Sequence, residues 1–427
     1  MGRPTVRALV IAVATNLAAT LATTARAEAQ APDPASAPVP FLSPALTYDG
    51  AVVTNLSGGV ERRSAYIGNL NLSLTARGES IGLAGTTLYA NLLTITGGSA
   101  SAIVGDAQGV SNIEGPSGTQ IEELWVQHNF EGNRVSALVG IYDLNSEFYR
   151  LQAASLFQNA SFGIGPEFSQ SGVEGPSIFP RTSVGLRVAV KPSANTVVRV
   201  AVLDGVPVVR PDGSRAAFRS GDGLLTVAEV AALSRAAPIS AAGSNHRDRI
   251  GRLSSLDPYV DKVAVGAWHY SGQFEDLSRL DAQGQPVLHQ GSSGAYVIAE
   301  RTLIGDSAAA ARRLSGFVRA GVADERVNRF ASHVSAGLVA SGWVAGRTSD
   351  EVGIAVTTAR NGASYREASA SAGHPTDRAE TTFELSYLAK VSQHLSLQPD
   401  LQYIKNPNTD PAIANAWVAQ VRFEVSF

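Results

Sequence analysis

The stretch Trp417-Val418-Ala419-Gln420-Val421-Arg422-Phe423-Glu424-Val425-Ser426-Phe427 closes the sequence. Trp417, Ala419, Val421, Phe423, Val425 and Phe427 share one parity. Val418, Gln420, Arg422, Glu424 and Ser426 share the other. Successive side chains of a strand point to opposite faces, so this is a strand with one apolar and one mostly polar side. Its length suits a tilted strand crossing a bilayer. The pattern predicts an all-β, transmembrane antiparallel barrel.

Working back, the alternation repeats. Leu395, Leu397, Pro399, Leu401 and Tyr403 oppose Ser396, Gln398, Asp400 and Gln402. Phe383, Leu385 and Tyr387 oppose Thr382, Glu384 and Ser386. The short turn Val391–His394 joins these two strands, and a longer polar segment follows Tyr403, as in outer-membrane barrels. Other strand starts are read near Leu46, Ser64, Thr86, Thr119, Arg134, Ser183, Thr196, Lys262, Gly294, Leu314, Ala331 and Val352, with a short one near Ser161. The total is about 16, enough to leave an aqueous channel with long extracellular loops.

Composition agrees. The 427 residues carry a net charge of −3, are 44% hydrophobic and 17% charged, and contain no Cys. Thiolate metal sites and disulfides are excluded, and no basic face invites nucleic acid. Arg3 and Arg7, the apolar run Ala8–Ala22 and Ala25-Arg26-Ala27 have the plan of a cleaved secretory signal peptide over residues 1–27. Residues 28–44 are an Ala/Pro-rich lead-in, and 45–427 are assigned to the barrel. No later stretch is long and apolar enough for a transmembrane helix. The expected location is the outer membrane.

Arg187, Arg199, Arg319 and Arg422 each sit between apolar neighbours in a strand. Facing lipid, each costs about 2–4 kcal/mol at mid-membrane; facing a wet lumen, each costs little. All four are therefore assigned to the lumen. Glu384, Asp400, Gln402, Arg422 and Glu424 come from three consecutive strands and form a mixed-charge patch on one lumen wall if their register aligns. Carboxylates accept from sugar hydroxyls, and guanidinium and amide groups donate to them.

Two segments break the rhythm. Asp204 to Asp261 reads as one long extracellular loop, with Thr226-Val-Ala-Glu229 as a capping box opening a helix to about Arg235. Leu144 to Pro180, rich in aromatics and glycines, is a segment able to plug or narrow the pore.

No local nucleophile, metalloprotease or phosphate-loop motif occurs, and the His at 128, 246, 269, 289, 333, 374 and 394 are scattered. An outer-membrane hydrolase with a Ser/His pair on the wall is the competing reading from another class. A general size-selective porin is the nearer one.

Several phrases resemble the OprB-type carbohydrate-selective porins: Leu397-Gln398-Pro399-Asp400-Leu401-Gln402-Tyr403-Ile404 followed by Asn406-Pro407, Glu384-Leu385-Ser386-Tyr387, Gly346-Arg347 with Asp350, Gly140 to Phe148, Phe157 to Gly163, and Val263 to Tyr270 with Gly294-Ala-Tyr296. They run from about residue 120 to the end. The resemblance implies a 16-stranded barrel passing mono- and oligosaccharides passively, with small sugars and membrane lipid as partners and no cofactor. Aromatics are only 7% of the chain, and no run of them for stacking sugar rings is visible. Homo-oligomerisation is left open.

Overall fold

The computed structural model describes residues 40–207, 218–219, 221–234, 259–305 and 312–427. Residues 1–27, read as a signal peptide, and 28–39 of the stretch read as lead-in lie outside these residues. The described residues form a closed antiparallel barrel of sixteen strands, each paired with its neighbours in sequence and β1 with β16. The strands are β1 (Leu42–Gly59), β2 (Ser64–Arg77), β3 (Thr86–Gly97), β4 (Gly118–Phe130), β5 (Val135–Tyr142), β6 (Ser183–Ser193), β7 (Thr196–Asp204), β8 (Leu224–Leu233), β9 (Lys262–Leu280), β10 (Pro286–Ile304), β11 (Arg313–Ala323), β12 (Phe330–Ser341), β13 (Glu351–Asn361), β14 (Ala379–Lys390), β15 (Leu395–Lys405) and β16 (Ala414–Ser426). β1 opens at Leu42, inside the stretch read as lead-in.

Alternation sets the two faces. On β16, Trp417 and Val421 are 44% and 51% exposed, while Val418 and Gln420 are 0% and 2% exposed. Val52, Val188, Val265, Val318, Ile354 and Leu385 continue the outward apolar band on other strands. A closed barrel leaves no unpaired strand edge, the condition for crossing hydrocarbon.

Two expectations are corrected. Thr226 to Glu229 is not a helix start: it lies in β8, paired with β7 and β9. The capping-box spacing is matched by chance, because Leu225, Val227, Glu229, Ala231 and Leu233 all face inward and are buried. The supposed single loop is thus split by a crossing strand, and its two connections, 205–223 and 234–261, leave β8 at opposite ends. Nor is there a strand near Ser161, which sits in the 3-10 turn Ala160–Phe162. β8 supplies the sixteenth strand instead.

Because β1 and β16 are neighbours, the start of β1 and Phe427 lie at one end, called here the terminal end. The connections 131–134, 194–195 and 391–394 at that end are short, and 234–261 is a long one there. The opposite end carries the long connections 98–117 and 143–182.

Candidate functional site

The connection 143–182 turns into the barrel. It holds three 3-10 turns, Leu144–Ser146, Ala153–Leu156 and Ala160–Phe162, and one short helix, α2 (Pro166–Ser169); α1 (Ala100–Val104) belongs to the preceding long connection. Its Phe148, Tyr149, Phe157, Phe162 and Phe168 are buried against inward side chains of β9 to β11. Phe168 stacks on Trp268 with centroids 4.9 Å apart, Tyr149 packs on Tyr296 at 4.1 Å, and Phe157 on Phe317 at 5.8 Å. Such pairs contribute about 0.5–1.5 kcal/mol beyond simple burial. Glycine makes the room: a methyl group at Gly266 would collide with the Tyr296 ring, and one at Gly337 with Phe317. The Gly content of the strands is thus partly the counterpart of aromatics held inside the barrel.

A loop without regular structure exposes backbone donors and acceptors that need partners once buried. The wall supplies them as side chains. Glu300 accepts from the amides of Gln152 (3.0 Å) and Ala153 (2.8 Å), and Glu384 from those of Gln158 (2.5 Å) and Asn159 (3.0 Å). Glu229 accepts from the Tyr149 amide (3.0 Å) and the Tyr296 hydroxyl (2.9 Å). Glu380 takes the amides of Ala107 (2.8 Å) and Gln108 (3.0 Å) in the 98–117 connection. Donors complement them. Arg319 donates to the carbonyls of Tyr149 (2.6 Å), Ser161 (3.2 Å), Phe162 and Gly163, with its guanidinium 4.7 Å from the Tyr149 ring centroid. Lys262 donates to the Arg150 carbonyl (3.0 Å), and Gln398 to that of Leu156 (2.5 Å). The narrowing loop is therefore gripped by β8, β9, β10, β11, β14 and β15.

All eight residues singled out from sequence face inward. Five share one wall, as their register requires. Glu384 pairs with Gln402, Asp400 with Gln420, Gln398 with Arg422, and Ser396 with Glu424. Asp400 Oδ1 accepts from Gln402 and Gln420 (3.1 Å each), and both amides also donate to the Val110 carbonyl at 2.9 and 3.0 Å. Arg187, Arg199 and Arg319 lie on β6, β7 and β11, apart from that wall. Their surroundings differ from the expected wet face, for none is more than 4% exposed. Arg187 pairs with Glu147 at 2.7 Å and donates to Ser136 Oγ (2.8 Å) and Gln127 (2.6 Å). Arg199 and Lys262 share Glu229 at 3.3 and 3.1 Å. Buried charge of this kind is tolerated where it is paired and hydrogen-bonded. Arg422 and Glu424 remain partly exposed, and Arg422 donates to Ser111 Oγ at 3.2 Å.

The sequence reading passed over Glu229, Lys262, Glu300 and Glu380 as site residues. Each sits at an inward parity position in a strand, a signal present in the alternation. It also missed an amide ladder on β2 to β4. Asn91 donates to Asn71 (2.9 Å) and Glu122 (2.7 Å), and Asn71 to Asn69 (2.8 Å).

The model of the carbohydrate-selective porin, OprB family, matches residues 61–427. The chain belongs to the OprB family. A "high pH structure" of Pseudomonas putida OprB has the same fold, with TM-score 0.77, 20% identity, and 91% of this chain and 94% of that one covered. Its "low pH structure" matches with TM-score 0.53 and 16% identity, covering 91% and 93%. The outer membrane channel DcaP of Acinetobacter baumannii matches with TM-score 0.53 and 8% identity, covering 90% and 97%. No curated protein matches.

Membership of the OprB family makes this chain an outer-membrane porin with sugars as its solutes, and family and fold point to a channel rather than an enzyme. Among the described residues, the Ser/His pair of the hydrolase reading is met by one side-chain contact. His269 Nδ1 lies 2.8 Å from Ser293 Oγ across β9 and β10. Both are exposed on the outward face, and among the described residues no carboxylate orients the other ring nitrogen. The base-orienting third group of an activated nucleophile is missing there. In outer-membrane barrels the short turns face the periplasm, so the terminal end is the periplasmic one.

Proposed function

We propose that this OprB-family porin passes glucose-type mono- and oligosaccharides by passive diffusion along the lumen beside the loop 143–182, with Arg422 and Glu424 as the charged groups that solutes meet. The observation that carries this is their partial exposure on a wall whose Glu384 and Asp400 are buried. Glu384 and Gln402 hold loop backbone, and Asp400 is held by two amides. Arg422 and Glu424 lie opposite Ala51 and Asp49 of β1, next to Asn69 of β2, where the amide ladder begins. Guanidinium, carboxylate and amide side by side offer both donors and acceptors to a ring of hydroxyls. On this reading Arg187, Arg199, Arg319, Glu384, Asp400 and Gln402 shape the passage rather than touch the sugar. Diffusion down a gradient needs no cofactor.

Purified protein in a planar bilayer tests the proposal. Open channels whose ion current falls on adding glucose or a short gluco-oligosaccharide support it. Channels that conduct but show no sugar block favour a general size-selective porin.

A further inference from the structure

Transport through the lumen makes no use of the outer wall, which is not uniformly convex. A cavity of about 1070 Å³ opens on the lipid side across β9 to β16. Its floor is made of small outward residues, among them Ala299, Gly316 and Ala336, with Leu338 and Ile354 beside them. One cation lines this apolar hollow. Arg301 is exposed and shares the outward parity of β10 with Ala299 and Leu303. Its cross-strand neighbour on β11 is Gly316, which has no side chain to cover it. Among the described residues no hydrogen bond or ion pair engages the Arg301 guanidinium. Three carboxylates also line the cavity. Glu300 and Glu384 face the lumen, where each is taken by two loop amides. Asp261, at the edge, accepts the Thr302 amide at 2.7 Å.

Depth fits a head-group contact. Trp343, at the terminal end of β12, is exposed and donates from its indole to the Arg313 carbonyl at 3.0 Å, and the Arg312 guanidinium lies 5.6 Å from its ring centroid. An exposed Trp beside cations marks the membrane–water boundary. Gly316, the partner of Arg301, is three residues further along β11 than Arg313, about 10 Å along a strand. With the strand tilted about 45°, that is roughly 7 Å below the boundary, within reach of a long side chain that snorkels.

We propose that Arg301 anchors the phosphate of an anionic glycerophospholipid in the periplasmic leaflet, with an acyl chain lying over Ala299, Gly316 and Ala336. A cation without a partner among the described residues, beside an apolar hollow, complements a ligand with a negative head and a hydrocarbon tail. A free anion gains nothing from the hollow, and a bare hydrocarbon gains nothing from the guanidinium. The site is independent of the sugar path.

Native mass spectrometry of the full chain, released from vesicles of mixed phosphatidylglycerol and phosphatidylcholine, reads this directly. The expected result is one phosphatidylglycerol retained per chain, not displaced by millimolar inorganic phosphate. Occupancy should fall at least tenfold in Arg301→Gln, and comparably in Ala336→Phe, which fills the hollow. Both variants should conduct and respond to sugar as the parent does. Equal retention by parent and variants overturns the proposal. So does equal retention of both lipids, displacement by phosphate alone, or a lipid-free hollow covered by a second copy of the chain in a dimer.

Discussion

Leu46 and Phe427 exchange both of their backbone hydrogen bonds, Leu46 N to Phe427 O at 3.0 Å and Phe427 N to Leu46 O at 2.9 Å, and so join the first strand to the end of the chain. The Phe427 ring lies over His394 of the β14–β15 turn, with centroids 5.3 Å apart and planes 17° from parallel. The seam is thus tied on both sides. Leu46→Pro removes one donor from it and imposes a ring on a paired strand. The expected loss is at least that of one ladder hydrogen bond, about 1 kcal/mol, read as a lower urea midpoint for the shift from folded to unfolded mobility on a gel. An unchanged midpoint would show that the seam adds nothing to closure.

Arg319 holds four carbonyls of the lumen loop with one guanidinium. Arg319→Met keeps most of the apolar stem and deletes every donor. Hydrogen bonds from a charged group are worth about 1.5–3 kcal/mol each, so the loop should detach while the sheet ladders persist. Single-channel conductance is expected to rise and sugar block to weaken together. A variant with the parent conductance would mean that the aromatic contacts alone keep the loop in place.

Arg422 and Glu424 carry opposite charge on the same lumen face. Arg422→Ala is expected to move ion selectivity toward cations and Glu424→Gln toward anions, each with altered sugar block. Reversal potentials across a salt gradient measure this. Asp400→Ala, behind them, should change sugar block through the lost grip on Gln402 and Gln420. If neither Arg422→Ala nor Asp400→Ala alters block or selectivity, this wall does not select the solute.

Glu384→Gln keeps one carbonyl oxygen but turns the other acceptor into a donor, facing the amide of Gln158 or Asn159. Losing one charged bond of roughly 1.5 kcal/mol should speed hydrogen exchange at that amide about tenfold. Exchange at the sheet amides of β14 is expected to be unaltered.

Asp350 fixes a turn at the terminal end. It pairs with Arg347, accepts from the Tyr387 hydroxyl, and accepts the Lys390 amide at 3.1 Å. Burial alone would raise its carboxyl, but the Arg347 and Tyr387 hydrogen bonds outweigh it and hold the group below the ordinary carboxylate range. A depressed acid stabilises the fold above its unfolded value, and that contribution is lost as pH falls through the folded value. Protection of the Lys390 amide should therefore drop on going from pH 6 to below pH 3. In Asp350→Asn it should be low at both.

Legibility from sequence followed the range of the interaction. The terminal strand was readable because alternation is local and one face must meet lipid. The inward placement of Arg187, Arg199, Arg319 and Arg422 was readable because hydrocarbon penalises the other choice. β8 was not, since Thr226, Ala228, Val230 and Ala232 face outward with little contrast to the inward Leu225, Val227 and Ala231, and Glu229 matched a helix-capping pattern. The aromatic core of the lumen escaped notice because its members, from Phe148 to Phe317, are far apart in the chain.

The sequence by itself determined a membrane barrel, its polar inner face and its apolar outer one, because the period of the strand and the cost of charge in lipid act residue by residue. Only the tertiary structure decided which inner charges are buried. Glu300, Glu384 and Arg319 hold a loop that lies within the barrel, and Arg422 and Glu424 stay partly exposed. That division depends on where backbone amides and carbonyls of distant segments come to rest, which no local pattern encodes.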